Sequence, residues 1–370
     1  MKAKDIALLC TAAAGAGAAA GIAAANNRPK TEKPAPKEKQ TVKKAAAEKK
    51  PPVKTVIKEL EFPTEKTLTA LYTHSSTGLA AFFGAEGRHS VYKTDTDGNI
   101  TEVRCPSETI YAAAGNGCVM FLTPRGGVFV YDDKEKEPVL CSLTAPEYAA
   151  YYDGRFYVFS DSLLYICTED GEIEKTVSLG AMIEISGSDI CDAEDSDSSF
   201  TAARVSVKKL LPFGKSELSA VITDEGKSYL MHVDEDDFIS FEKTYEEIID
   251  VCVFGSYAYY LCRLSEGYGI IKTEIKRKNC DTSGKYLLCG KDREPVKIFS
   301  VSCGIGVLYS DGLVKFLLPE ISAERSRENA KRGLAAYNAA FSEISAEDVF
   351  AFGTDCGVLS DGKLRIIGTE

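Results

Sequence analysis

From residue 57 onward the apolar side chains come in short runs, and nearly every run is closed by a turn carrying Asp-Gly, Asn-Gly or another Gly. Such runs occupy 68–72, 78–83, 118–122, 128–131, 156–159 and 163–167, and again 218–222, 229–233, 248–254, 257–262 and 269–275. Between them stand Asp97-Gly98, Gly115-Asn116-Gly117, Asp153-Gly154, Asp170-Gly171, Glu225-Gly226, Asp311-Gly312 and Asp361-Gly362. Asn-Gly and Asp-Gly supply the positive φ that a two-residue hairpin turn needs. Runs this short cannot be helices, and their density implies an all-β body: propeller, sandwich or barrel.

Length separates these. Residues 57–370 number 314, and blades of about 40–50 residues would give six or seven of them. Units fall near 66–105, 108–143, 147–182, 203–244, 246–290, 294–320 and 340–370. Immunoglobulin-type sandwiches of about 100 residues would require three copies and linkers between them, which are not seen. The expectation is therefore a single β-propeller of about seven four-stranded blades, with six possible.

The two C-terminal units carry a family resemblance. Thr354-Asp355-Cys356-Gly357-Val358-Leu359-Ser360-Asp361-Gly362-Lys363-Leu364, closing with Ile366-Ile367-Gly368, resembles a repeat of the regulator of chromosome condensation type. In bacterial members a short apolar strand leads into Ser-Asp-Gly, and a second strand ends in Gly. Gly306-Val307-Leu308-Tyr309-Ser310-Asp311-Gly312-Leu313-Val314 has the same core. The His-Thr that precedes the strand in the family is Thr354-Asp355 in one unit and Gly304-Ile305 in the other, and Phe316-Leu317-Leu318 lacks the closing Gly. The similarity spans 298–318 and 348–369. It implies a propeller and a protein-interaction role, with Ser310, Asp311, Gly312, Ser360, Asp361, Gly362 and Gly368 as structural turn residues. Nothing matches the functional residues of the eukaryotic founder, so its nucleotide-exchange activity is not implied.

One segment breaks the strand pattern. Residues 322–343 are Ala-rich and charge-laced, with Leu334, Tyr337 and Phe341 on one helical stripe at spacings of three and four. The helix either folds onto the body or offers a docking surface.

The N-terminus is different in kind. Residues 6–25 form twenty uncharged residues rich in Ala and Gly, about one bilayer crossing as a helix. Lys2, Lys4 and Ala23-Ala24-Ala25 also resemble a secretory signal cleaved near Ala25. The length favours an uncleaved anchor, and the Lys/Arg excess on its C-terminal side favours a cytoplasmic body. Gly17 and Gly21, four apart, are spaced for helix packing in lipid and self-association. Residues 27–56, rich in Lys, Pro and Ala, lack the apolar side chains that would offset ordering and read as a disordered stalk. Hence the expected division is an anchor or signal segment 1–26, a linker 27–56 and a propeller domain 57–370.

Charge follows the same division. The chain carries −11; residues 1–56 hold about +8, which leaves −19 for 57–370. So acidic a body repels phosphate backbones, which makes nucleic acid an unlikely partner for the folded part. The twelve cysteines include no CxxC pair and mostly sit in apolar runs, as small buried hydrophobes of a reducing compartment do. No zinc-ligand spacing is present. The acidic segment 185–199 is read as a solvated loop, with calcium binding as the alternative.

Catalytic chemistry is scarce. The three histidines, His74, His89 and His232, belong to no nucleophile motif, and no nucleophile elbow, P-loop or dinucleotide fingerprint occurs. No cofactor or metal is implied. The leading expectation is a non-enzymatic, membrane-tethered β-propeller acting as a protein-interaction or scaffold module for an unknown protein partner. The alternative is an exported carbohydrate-active or other hydrolase propeller with paired acids at its funnel, against which the absence of Trp counts.

Overall fold

A computed structural model describes residues 52–75, 78–85, 88–115, 118–124, 127–132, 139–143, 146–178, 206–213, 217–224, 227–233, 239–244, 247–265, 267–275, 280–287, 293–319 and 324–370. The expectations for 1–26, Gly17, Gly21, most of 27–56 and 185–199 lie outside the described residues. Among those described, no helix is long and apolar enough to cross a membrane. One compact unit spans Pro52–Glu370, so it starts slightly earlier than residue 57. The reason is a short strand, β1 (Thr55–Glu59), which straddles the end of the expected linker.

Seven antiparallel sheets follow in chain order. The first contains β2 (Leu68–Ser75), β3 (Gly78–Ala85), β4 (Arg88–Asp95) and β5 (Ile100–Val103). The second contains β6 (Tyr111–Ala114), β7 (Cys118–Leu122), β8 (Gly127–Asp132) and β9 (Val139–Ser142). The third is β10 (Pro146–Tyr152), β11 (Arg155–Ser160), β12 (Leu163–Thr168) and β13 (Ile173–Ser178). The fourth is β14 (Ser206–Phe213), β15 (Glu217–Asp224), β16 (Lys227–Val233) and β17 (Ile239–Thr244). The fifth is β18 (Glu247–Phe254), β19 (Tyr257–Leu264), β20 (Gly267–Ile275) and β21 (Cys280–Leu287). The sixth has only β22 (Pro295–Val301), β23 (Gly304–Tyr309) and β24 (Val314–Leu317), followed by the helix α1 (Glu324–Phe341). The seventh is β25 (Asp348–Phe352), β26 (Asp355–Ser360) and β27 (Lys363–Thr369), and β1 completes it from the other end of the unit. β1 pairs antiparallel with β27 from Thr55↔Thr369 to Glu59↔Arg365. The first strand of each sheet lies against the first strand of the next, and β25 lies against β2.

The period of two in the sequence has a specific purpose here. Successive side chains on a strand point to opposite faces, and each second strand feeds two different apolar seams. In β11, Phe156 and Val158 pack towards the second sheet while Tyr157 and Phe159 pack towards the fourth. In β3, Ala80 and Phe82 face the second sheet, whereas Leu79, Ala81 and Phe83 face the seventh. A strand covered on both faces is apolar at nearly every position, and β7 and β23 are buried throughout. Seven such seams occur, one between each pair of successive sheets, including one between the seventh and the first.

The two Ser-Asp-Gly motifs form turns of different kinds. Ser360 pairs with Lys363 across a two-residue turn in which Asp361 and Gly362 have φ of +53° and +69°. This is the positive-φ pair that a tight hairpin needs. At Ser310-Asp311-Gly312 the loop is longer. Tyr309 N–H donates to Leu313 O at 2.9 Å, Gly312 N–H donates to Tyr309 O at 2.9 Å, and only Gly312 takes positive φ, +82°. Gly312 also accepts from Ala346 N–H at 2.9 Å, which fixes the entry to β25. A Cβ there would stand 2.5 Å from Ser345 Oγ. Gly368 lies inside β27, and its missing Cβ leaves room for the Asp355 carboxylate, which would otherwise sit 2.8 Å from it.

Helix α1 stands beside β24 and also reaches β27 and β1. Its stripe of Leu334, Tyr337 and Phe341 is buried. Tyr337 stacks on Phe316 at 5.1 Å, and Phe341 meets the same ring edge-on at 5.2 Å. Thr55 Oγ1 donates to Ala336 O at 3.2 Å, tying β1 to the helix. The apolar stripe is thus spent on the body, while Arg327, Glu328, Lys331 and Asn338 face outward.

Candidate functional site

All first strands start at the same end of their sheets, and five of them carry a register shift there. The breaks fall at Leu68/Ala70, Pro146/Tyr148, Val207/Lys209, Ile248/Asp250 and Pro295/Lys297. A bulge inserts one unpaired residue and re-aims the side chains around it. The inserted residues are Thr69, Glu147, Lys208, Ile249 and Val296, and all except Ile249 are exposed. Ile110, at the same level of the second sheet, is 46% exposed, and Val296 is 41% exposed. Two large aliphatic side chains therefore remain in water on a rim otherwise held by polar groups.

Side chains at or near this level of the first strands couple neighbouring sheets in two ways. In the first three sheets the contacts are aromatic: Tyr72 meets Tyr111 at 4.9 Å, and Tyr111 meets Tyr148 at 5.0 Å. Tyr72 OH donates to Ile110 O at 3.0 Å. In the last four sheets the contacts are ionic. Lys209 Nζ lies 2.5 Å from Asp250 Oδ1, and Asp250 Oδ2 accepts from Ile298 N–H at 2.8 Å. Lys297 Nζ lies 2.6 Å from Asp348 Oδ1.

Burial works to lower the Lys209 pKa, but the Asp250 carboxylate outweighs it and holds the ammonium above its ordinary range. Burial pushes the Tyr111 and Tyr148 phenols up, so both stay neutral. Burial likewise raises the thiols of Cys105, Cys252, Cys303 and Cys356, which removes the thiolate that a reactive cysteine needs.

Farther out at the same end, Arg263 bonds the Tyr268 hydroxyl at 3.2 Å and lies 3.6 Å from Glu294 and 3.8 Å from Glu247. Arg293 reaches Asp311 at 3.2 Å. This places the Asp of the first Ser-Asp-Gly motif in a surface ion pair; Asp361 and Gly362 sit at the corresponding turn of the seventh sheet. His89 packs its ring against Phe82 at 5.5 Å, with Thr69 Oγ1 3.4 Å from its Nδ1. The side chains of His74 and His232 lie outside the described residues. No group of three or more potential metal ligands gathers among the described residues.

The ion pairs yield one prediction. Asp250→Asn keeps the shape but leaves the Lys209 ammonium half-buried without its anion, a loss of about 2 kcal/mol by urea unfolding. The pH dependence follows from the raised Lys209 pKa. The contribution is complete below the unfolded lysine value of about 10.4 and is lost as pH rises through the folded value. The gap between wild type and Lys209→Met should therefore close in alkaline solution; a gap constant across that range would show the pair to be inert.

No protein-family model matches the chain, and no curated protein sequence does. Solved structures match it by shape. YCF48 from Cyanidioschyzon merolae is 13% identical, with a TM-score of 0.52 over 84% of this chain and 98% of that one. A YCF48 bound to D1 peptide is 10% identical, with a TM-score of 0.51 over 87% and 96%. The Myceliophteria thermophila Cps50 (Swd1) β-propeller domain is 8% identical, with a TM-score of 0.51 over 84% and 99%. At such identities the likeness shows the fold, a β-propeller.

Proposed function

We propose that this chain is a non-enzymatic protein-interaction or scaffold module: one propeller of seven blades, the sixth three-stranded, presenting the bulged rim of its first strands to a protein partner. The observation that carries this reading is the exposure of Ile110 and Val296 among polar rim residues. Interfaces place apolar anchors inside a polar surround, and burying such side chains against a partner removes them from water favourably. That a neighbour of the same fold is bound to a peptide supports the class of partner. The rim carboxylates Asp250 and Asp348 are each held by a lysine. This suits structural ion pairs rather than the free carboxylate pair that flanks a glycosidic bond. The C-terminal units are read as repeats of the regulator of chromosome condensation type, supported by their shared Gly306 and Gly357. Residues 6–25 would anchor the protein in a membrane, and residues 27–56 would hold the propeller away from it on the cytoplasmic side.

Affinity capture with the full chain tests the surface. The double variant Ile110→Asp/Val296→Asp should lose the captured partner by at least about tenfold in affinity, the scale of a hot-spot pair. Unchanged capture would remove the rim from consideration. Separately, deletion of residues 1–26 should move the protein from the membrane pellet to the supernatant; equal partitioning would dispose of the anchor.

A further inference from the structure

A second site lies where the seventh sheet meets the first. The segment between β1 and β2 crosses this seam and, with the β26–β27 hairpin, encloses a cleft of about 330 Å³. Its floor is apolar: Leu60, Phe62, Leu68, Phe83 and Leu364. Leu60, Phe83 and Leu364 are buried, and Phe62 sits 4.9 Å from Phe83 and 5.9 Å from Tyr92. The Tyr92 hydroxyl donates to Pro63 O at 3.3 Å, so the wall is fixed from behind.

The mouth of the cleft carries both signs of charge. Lys363 reaches Glu59 at 2.7 Å, and Arg365 reaches the same carboxylate at 3.6 Å, so that acid is already shared by two cations. Lys66 Nζ donates only to Ser90 Oγ, at 2.8 Å, and meets no carboxylate among the described residues. Glu65 is the one acid lining the cleft, and it is exposed; at the edge the Glu347 carboxylate accepts from Gly362 N–H at 3.2 Å. Of the two cations lining the cleft, Lys363 is held by Glu59 and Lys66 is the one without a carboxylate among the described residues.

We propose that this cleft binds an apolar monocarboxylate, with the tail against the half-buried Phe62 and Leu68 and the carboxylate at Lys66. The volume is at the lower end for small-molecule sites, enough for a single chain or ring. A charge-assisted bond from an ammonium that lacks an anion supplies the orientation. Two sources share this chemistry: a short fatty acid, and the C-terminal carboxylate of a peptide ending in a large apolar residue.

Calorimetric titration of the full chain with octanoate, octanol, N-acetylphenylalanine and N-acetylphenylalaninamide tests the proposal. At least one acid should bind about tenfold tighter than its neutral counterpart, and the stronger acid identifies the source. Lys66→Gln, an exposed and conservative change, should abolish the preference for acid while leaving the circular dichroism unchanged. Raising the salt should weaken it in the wild type. Acid and neutral ligands binding alike, no acid binding at millimolar concentration, or a preference that survives Lys66→Gln would each overturn it. The rim residues Ile110 and Val296 take no part, so such a failure would leave the partner-binding reading standing.

Discussion

Starting the chain at Glu61 instead of Pro52 is expected to destabilise the folded unit by about 5 kcal/mol, summed over a buried leucine and several strand hydrogen bonds. The loss has identifiable parts. Leu60 is 5% exposed and belongs to the seam between the seventh and first sheets, with Phe83, Phe350 and Leu364. Its N–H donates to Leu364 O at 2.9 Å, and the ladder extends outward to Glu370 N–H on Lys54 O at 2.9 Å. Glu59 carries the ion pairs to Lys363 and Arg365, and Thr55 holds Ala336 of the helix. Against a whole-domain stability of about 5–15 kcal/mol, the truncated chain should be largely unfolded or should recruit a strand from a second copy. Urea unfolding together with size-exclusion chromatography distinguishes these outcomes. A truncated monomer with the midpoint of the chain that starts at Pro52 would show that β1 contributes nothing.

The second large effect is expected at Gly357. It pairs with Phe350 across β25 and β26, and a Cβ would stand 2.1 Å from the Phe350 ring. Gly306 stands in the same relation to Phe299, with a Cβ-to-ring distance of 2.3 Å. The glycine of each repeat thus makes room for an aromatic ring lying flat over the strand. Gly357→Val should cost about 3 kcal/mol by overpacking, despite the entropy it removes from the unfolded chain. Phe350→Leu should recover most of that loss in the double variant, giving a coupling of about 2 kcal/mol. Gly362 is the counter-example. Nothing lies within 4 Å of its Cβ position, and only its φ of +69° matters, so Gly362→Asn should be nearly neutral because Asn tolerates the left-handed region. Additive effects at Gly357 and Phe350 would refute the packing account.

The hairpins within each unit were legible because turn chemistry is local. Asp153-Gly154 and Asp361-Gly362 take positive φ at both residues and Asp170-Gly171 at the glycine alone, and each closes a hairpin in the structure. The helix was legible from Leu334, Tyr337 and Phe341, whose spacing fixes one buried face. Gly306 and Gly357 were visible as a shared pattern, but the pattern gave no reason for them until the two phenylalanines were found above them. β1 was hidden. Thr-Val-Ile-Lys-Glu continues a Lys-rich stalk in composition, and its partner strand lies some three hundred residues away. The rim was hidden for a similar reason. Lys209 and Asp250 are separated by 41 positions and belong to no motif, and a bulge leaves no mark in the hydrophobic pattern. Interactions between sheets depend on register, and register is a property of pairs of strands.

The pairing of β1 with β27 also sets an order of events on the ribosome. β1 is the first strand of the folded unit to emerge, yet the strand it needs is the last to be made. At cellular translation speeds the delay is on the order of half a minute. Sheets one to six can assemble in turn on the nascent chain during that interval, whereas Leu60 and the hydrogen-bonding groups of β1 must wait in the open. Vectorial synthesis therefore leaves this protein with one late, obligatory docking step, and that interval is when holdase chaperones have most to offer it.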